Sequence, residues 1–434
     1  MIIDPNLKKI FPNTSTLAYY NPFGQHIVYN SIEQLEYEKA IKDITNPANL
    51  TTIKTISHEL RHWKDHHTTI FGVSNLVDIY NAINARLLNN PENFHYISTF
   101  IRNSKKSDLT EYYHTKVESY KIKKNGPNWK WNISIGSRFN YDGTLNHQKP
   151  IPFVRFLNPE NNNLLSRTPL SVSSLLETNA IAEEIKASID IIKKFNKTEL
   201  LVEMKLMEKE NLNWLYNHEL TLYSAIAHLT SSITGIKDII ATFIVTSCIS
   251  NLILNLPNQI LQQIPINSYF KEYGEKNQLL RSENDKGYAF LNLLMNYKDK
   301  FKDKDEFEIE DLLEASSLPK KDAIEALIID EFDSLKDLVL DGPFKNNVLT
   351  KIQNATEYFR INGLDGANKP AFDFFDYETP ALIFGDTLID ESTYNYELFK
   401  KYVMKGVPLT KTGWLVMQQD IYKELEVFYN ICGI

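Results

Sequence analysis

Cysteine is nearly absent: Cys248 and Cys432 are the only two in 434 residues. That excludes a disulfide framework and a thiolate zinc site, and it suits a reducing cytoplasm. Positive charge is also short. With 47 Lys and Arg against 55 Asp and Glu, the formal net charge is -8, and no dense basic stripe offsets it, so no nucleic-acid partner is expected. Met1 to Asn13 hold no apolar core of signal-peptide length, which argues against a secreted digestive enzyme. Long apolar runs are lacking except over 239–256. There Thr242, Thr246, Ser247, Ser250, Asn251 and Asn255 interrupt the run and Lys237-Asp238 abuts it, so it reads as a buried core helix and no membrane is expected. No internal repeat, P-loop or G-x-S-x-G is present, and Asp303-Lys304-Asp305 lacks the glycine of a calcium loop.

What remains is an ordinary globular composition, 43% hydrophobic and 24% charged, in a chain long enough for one large or two closely packed domains. The expected fold is mainly α with small β elements (α+β). Leu17-Ala18-Tyr19-Tyr20 and His26-Ile27-Val28-Tyr29 flank Asn21-Pro22-Phe23-Gly24 as a hairpin. Over 128–158, Trp129, Trp131, Ile133 and Ile135 alternate with polar residues. Asp142-Gly143 marks a turn, and Phe153 to Leu157 return as a strand. From Glu199 onward the pattern is helical, with solvated amphipathic helices over Tyr297 to Asp341 and a last helix around Leu415 to Tyr429. A division into 1–200 and 201–434 is expected.

One stretch carries chemistry. Ser57-His58-Glu59-Leu60-Arg61-His62 contains H-E-x-x-H, His58 to His62. With 10 histidines in the chain, a chance match arises about once in a hundred such sequences. Ile53, Ile56, Leu60, Trp63, Ile70, Phe71, Val77 and Ile83 recur at helical spacing and Pro91 ends the run, predicting one helix over 52–89. Histidines four apart then sit one turn apart on one face, where both imidazoles reach one metal ion, and Glu59 can take a proton from the water it holds. Asp65 shares that face and is placed to accept from a ligand imidazole's second nitrogen. His66 and His67 read as bystanders. The alternative is a polar, solvated helix face.

These residues resemble the zincin superfamily of zinc metallopeptidases. The resemblance covers this helix and one further glutamate. The metzincin form asks for Gly at 65 and a ligand at 68, where this chain has Asp65 and Thr68. The gluzincin form takes its third ligand from a glutamate on a separate helix. The best candidate is Glu177, on a helix over 172–195 that Ser171 or Ser173 can cap. At about 100° per residue Glu177 and Glu184 fall on the apolar face with Ala180, Ile181 and Ile185, and Glu183 points away. The E-x-x-A at 177–180 also looks like a gluzincin third-ligand helix. Glu177 is therefore the expected ligand and Glu184 its supporting partner. Either could instead cap a helix or pair with a lysine or arginine.

The resemblance implies one Zn²⁺ per chain, a polypeptide substrate, and an oxyanion stabiliser for which Tyr223 and His228 are candidates. It also suggests that a strand near the metal helix pairs with an extended substrate; the 16–30 hairpin can do this or simply close a core. An unspecific intracellular protease would damage its own cell, so a specific or gated enzyme, with a regulatory protein partner, is expected. A non-catalytic zinc scaffold and a helical interaction protein with an accidental H-E-x-x-H are the competing readings.

Overall fold

Helical periodicity prevails as expected: the described residues are 67% helix and 12% strand. The computed structural model describes residues 17–107, 109–116, 129–140, 143–301, 304, 307–386, 421–428 and 431. The strands are β1 (Ala18–Asn21), β2 (His26–Tyr29), β3 (His114–Thr115), β4 (Lys130–Phe139), β5 (Leu145–Leu157), β6 (Leu164–Pro169) and β7 (Ala381–Phe384). The first helices are α1 (Gln34–Lys42), α2 (Leu50–Thr68), α3 (Ile70–Leu88), α4 (His95–Ser107), α5 (Val172–Ile192), α6 (Lys197–Leu215) and α7 (Thr221–Thr234). They are followed by α8 (Ile239–Asn255), α9 (Asn258–Leu261), α10 (Glu275–Ser282), α11 (Lys286–Phe301), α12 (Ile309–Ala315), α13 (Lys321–Leu335) and α14 (Lys345–Asn362). Residues 421–428 are also helical. Met1 to Asn13, Asp142, Asp303, Asp305, Cys432 and the start of the helix expected from Leu415 lie outside the described residues.

The chain divides into two units, and not at residue 200. The first comprises Met1–Ser104, Phe332–Ile361 and Pro370–Ile434; the second comprises Lys105–Glu331 and Asn362–Lys369. Pairings between distant segments explain the interleaving, and no local pattern announces them.

In the first unit the expected hairpin forms, with Ala18 opposite Tyr29 and Asn21 opposite His26. Asn21 Oδ1 accepts from Gly24 N at 2.9 Å and closes its turn. β7 then joins β2 in parallel, His26 beside Ala381, giving a sheet of order β1-β2-β7 against which α2 packs. On α3, Asn81 Oδ1 accepts from Leu340 N at 2.8 Å and Asn84 Oδ1 from Phe344 N at 3.0 Å. Asn81 Nδ2 donates in return to Leu338 O at 2.9 Å. Two carboxamides one turn apart thus bind a loop more than 250 residues away, satisfying backbone groups that burial would otherwise orphan.

The single helix expected over 52–89 is two helices. Thr69 breaks the run with φ -106° and ψ 153°, ending α2 and capping α3, where its Oγ1 accepts from Gly72 N at 3.0 Å. The same hydroxyl donates to Asp65 O at 2.7 Å. Hydrophobic periodicity continued across the break because both helices bury apolar residues; the capping threonine and Gly72 were the signal it concealed. A Cβ at Gly72 would lie 2.3 Å from His66 Cα and 2.5 Å from Asp65 O, so only glycine allows α3 to start this close to α2.

The second unit carries an antiparallel sheet of order β3-β6-β5-β4. β4 and β5 are the alternating strands read from 128–158, whereas β6 follows a loop that gave no strand signal. Edge strand β4 is covered by side chains: Tyr273 Oη donates to Ile133 O at 3.0 Å and Lys276 Nζ to Ile135 O at 3.2 Å. Helix α5 packs against α7 and α8, burying Ile181, Ala182, Ile185, Ala227 and Phe243 together. The polar residues expected to keep α8 out of a membrane are core groups. Ser247 Oγ donates to Asn179 Oδ1 at 2.9 Å, and Thr246 Oγ1 to Thr242 O at 2.6 Å. No described helix is by itself long and apolar enough to cross a membrane.

Two buried histidines, one per unit, lie apart from the H-E-x-x-H. Burial brings His26 on β2 and His228 on α7 each down to about 4. His228 Nε2–H donates to Leu215 O at 2.8 Å, and its ring lies 5.7 Å from Trp129 and 5.0 Å from Phe156.

Two outcomes follow from this packing. Gly72→Ala should destabilise the protein by about 2 kcal/mol or more, read from the urea midpoint, because the methyl meets backbone rather than a yielding side chain. Stability should also fall as pH drops from 6.5 toward 4. The unfolded chain protonates at its ordinary histidine value, whereas folded His26 and His228 stay neutral, so protons pull toward unfolding. Melting curves at pH 7, 5.5 and 4.5 measure this, and His228→Gln should flatten the dependence.

Candidate metal centre

Helix α2 is buried far beyond what its composition suggests. From Ile56 to Thr68 every residue is buried except His58 and His62. The expected alternative, a solvated polar face, is therefore not what α2 presents. Leu60 and Trp63 are wholly enclosed, and the two histidines keep partial access along one strip.

Along that strip the imidazoles converge. His58 Nε2 and His62 Nε2 are 3.2 Å apart, with ring centroids at 4.8 Å and planes inclined by 78°. Two imidazole ligands of a tetrahedral zinc, each at about 2.0–2.1 Å, stand about 3.3 Å apart. An Nε2–H···Nε2 hydrogen bond closes over the same distance, so the spacing suits either state of the pair. The rings are aimed at a common point by their places one turn apart on α2.

Glu59, between them in sequence, is 6% exposed. Tyr29 on β2 is fully buried. Burial, then Tyr37, then the Glu59 charge push its phenol well above its ordinary value, so it stays protonated. This neighbour of Glu59 came from the hairpin and was not among the expected site residues; only the pairing of β2 with α2 reveals it.

Asp65 Oδ1 accepts from Arg61 Nε at 2.8 Å, and both side chains are almost completely enclosed. The expectation placed this carboxylate beside a ligand imidazole; one partner the fold gives it is a guanidinium one turn back. His66 and His67 are deeply buried and engaged. His66 Nδ1–H donates to His62 O at 2.9 Å, and burial brings its imidazole down to about 4. His67 Nδ1–H donates to Glu378 Oε2 at 3.2 Å.

In the second unit, Glu177 is half-buried on α5, beside Leu176 and Thr178. Thr178 Oγ1 lies 3.0 Å from Ser174 O and 3.2 Å from Tyr223 O, within donating distance of both. Ser171 occupies the N-cap position without a capping side-chain bond, and Ser173 Oγ donates to Ser107 O instead. The helical wheel misjudged the neighbouring acids: Glu183 is only 4% exposed, while Glu184 is half-buried. Because α6, α7, α8 and α11 all pack on α5, it has no single apolar face, so a wheel drawn on hydrophobicity alone cannot rank its sides. Tyr223 is half-buried against Trp214 at 5.8 Å. His228 is a core group with one ring nitrogen committed to Leu215 O, which does not suit it to an oxyanion.

No family model, curated protein or solved structure matches this chain.

Proposed function

We propose that the chain is a zinc-dependent metallopeptidase of the gluzincin kind. In this reading His58 and His62 hold one Zn²⁺ through neutral imidazoles, and Glu177 is kept as the third ligand that the gluzincin resemblance implies. The observation that carries it is the His58–His62 pair: two Nε2 atoms 3.2 Å apart on the only partly open strip of an otherwise buried stretch of helix. For Glu177 the support is a carboxylate donor, half-buried on a separate helix, in an E-x-x-A pattern like that of gluzincin third-ligand helices.

Zinc in such a site supplies Lewis acidity, lowering the pKa of water toward neutrality and polarising a scissile carbonyl. The rest falls to the chain's own groups. Glu59 accepts the proton of the attacking water and delivers it to the leaving amine, acting first as base and then as acid. Protonated Tyr29 leaves Glu59 without a competing anion from that side. The substrate class is a polypeptide. Among the described residues β1 is an edge of its sheet and lies against α2, so an extended peptide pairing along it would gain main-chain hydrogen bonds. Two cysteines and no disulfide framework favour a cytoplasmic setting, where a protease needs gating or a regulatory protein partner.

Elemental mass spectrometry of the purified protein should find about one zinc per chain, lost in His62→Ala and lost or weakened in Glu177→Ala. Glu59→Gln should keep metal and fold while peptide cleavage falls about a hundredfold to ten-thousandfold. Zinc retained in Glu177→Ala would move the third ligand elsewhere. No zinc in the wild type after zinc is offered would overturn the enzyme reading.

A further inference from the structure

The back of α2 carries a polar assembly that this chemistry does not use. His67 lies nine residues beyond His58, which at about 100° per residue is half-way round the helix. It is 1% exposed and donates to one oxygen of Glu378, whose other oxygen accepts from Lys351 Nζ on α14. Glu378 sits between two fixed points. Tyr377 O accepts from Asn354 Nδ2 at 3.2 Å on one side, and on the other β7 is paired to β2. Burial alone would raise the Glu378 carboxyl, but the charges and hydrogen bonds of His67 and Lys351 outweigh it and bring the group to about 2.

Holding a helix this way is costly. A buried ion pair is often no more stabilising than apolar side chains of the same volume; where it is retained, its best-attested use is to fix one arrangement among several. The ring contacts beside it do not by themselves fix one. Trp63 meets Phe374 at 5.3 Å and Phe375 at 5.7 Å, apolar ring contacts that, less directionally than hydrogen bonds do, oppose sliding and rotation of the helix. The carboxylate, with one partner on each oxygen, does not tolerate them.

We propose that Glu378 is a positioning residue: through His67 it sets the rotation and height of α2, and with them the place of the His58–His62 pair. Its consequence for metal rests on the reading of that pair as zinc ligands.

The test replaces the whole assembly with apolar groups of similar size, His67→Leu/Lys351→Met/Glu378→Met, so that no buried charge is left alone. The variant should melt at or near the wild-type temperature, yet bind zinc about tenfold or more weakly in chelator competition, the scale seen when groups that orient ligands are removed. Amide exchange over residues 58–67 of the metal-free protein should be faster than in wild type. Equal zinc affinity together with equal exchange would overturn the proposal. If wild type binds no zinc while exchange still quickens in the variant, the metal reading fails and the positioning role stands. Should the triple variant not fold, His67→Asn, which keeps an N–H for Glu378, is compared with His67→Leu. Affinity and exchange preserved in the first and lost in the second support the role, and equal behaviour of the two overturns it.

Discussion

A helix bearing His58, Glu59, Arg61, His62, Lys64, Asp65, His66 and His67 can be buried only if its polar groups are answered one by one. The rest of the first unit is arranged around that requirement. Asp65 takes Arg61, the His62 carbonyl takes His66, and Glu378 takes His67. The Lys64 ammonium lies 5.3 Å from the centre of the Tyr358 ring. An unanswered charge in such a setting is costly enough to neutralise or unfold its surroundings. This is why segments more than 300 residues downstream return to the helix: they bring Glu378 against its back.

The same requirement isolates the two residues that are not enclosed. His58 and His62 face each other across 3.2 Å and retain access from outside, while the residues between and beyond them are sealed. Polar groups that merely hold the fold are expected to be enclosed with their partners. Two convergent donors left partly open are what a ligand site looks like before its ligand is considered.

Much of this was legible in the sequence, and the illegible part has a common cause. The hairpin at 18–29, the alternation at 130–139, the helix at 172–192 and the buried run at 239–255 follow from local period, and each formed. The i, i+4 histidines follow from helix geometry. What failed was inference about sides and ends. The wheel placed Glu183 outward because it ranked the sides of α5 by hydrophobicity alone, while helices pack on several of those sides. Periodicity ran through Thr69 because the helices on both sides of it are apolar. β7 and Glu378 declare nothing locally, since a four-residue strand and a lone glutamate acquire meaning only through their distant partners.

Burial and the open strip are linked through cooperativity. Most of the stability of a helix in a protein comes from tertiary packing, so the position of α2 is set by what packs on it rather than by its own propensity. With Thr69 breaking the chain and Gly72 pressed against His66, the C-terminal turn of α2 cannot extend or slide without disturbing α3. At the N-terminal end Asn49 makes no side-chain cap, but Thr52 Oγ1 donates to Glu36 Oε1 on α1 at 2.6 Å. His58 and His62 lie in the middle of α2, two turns and one turn before His66. In the proposed zinc reading, a pair whose separation must hold to a few tenths of an ångström gains from the anchoring of His66 and His67 on the turns that follow it.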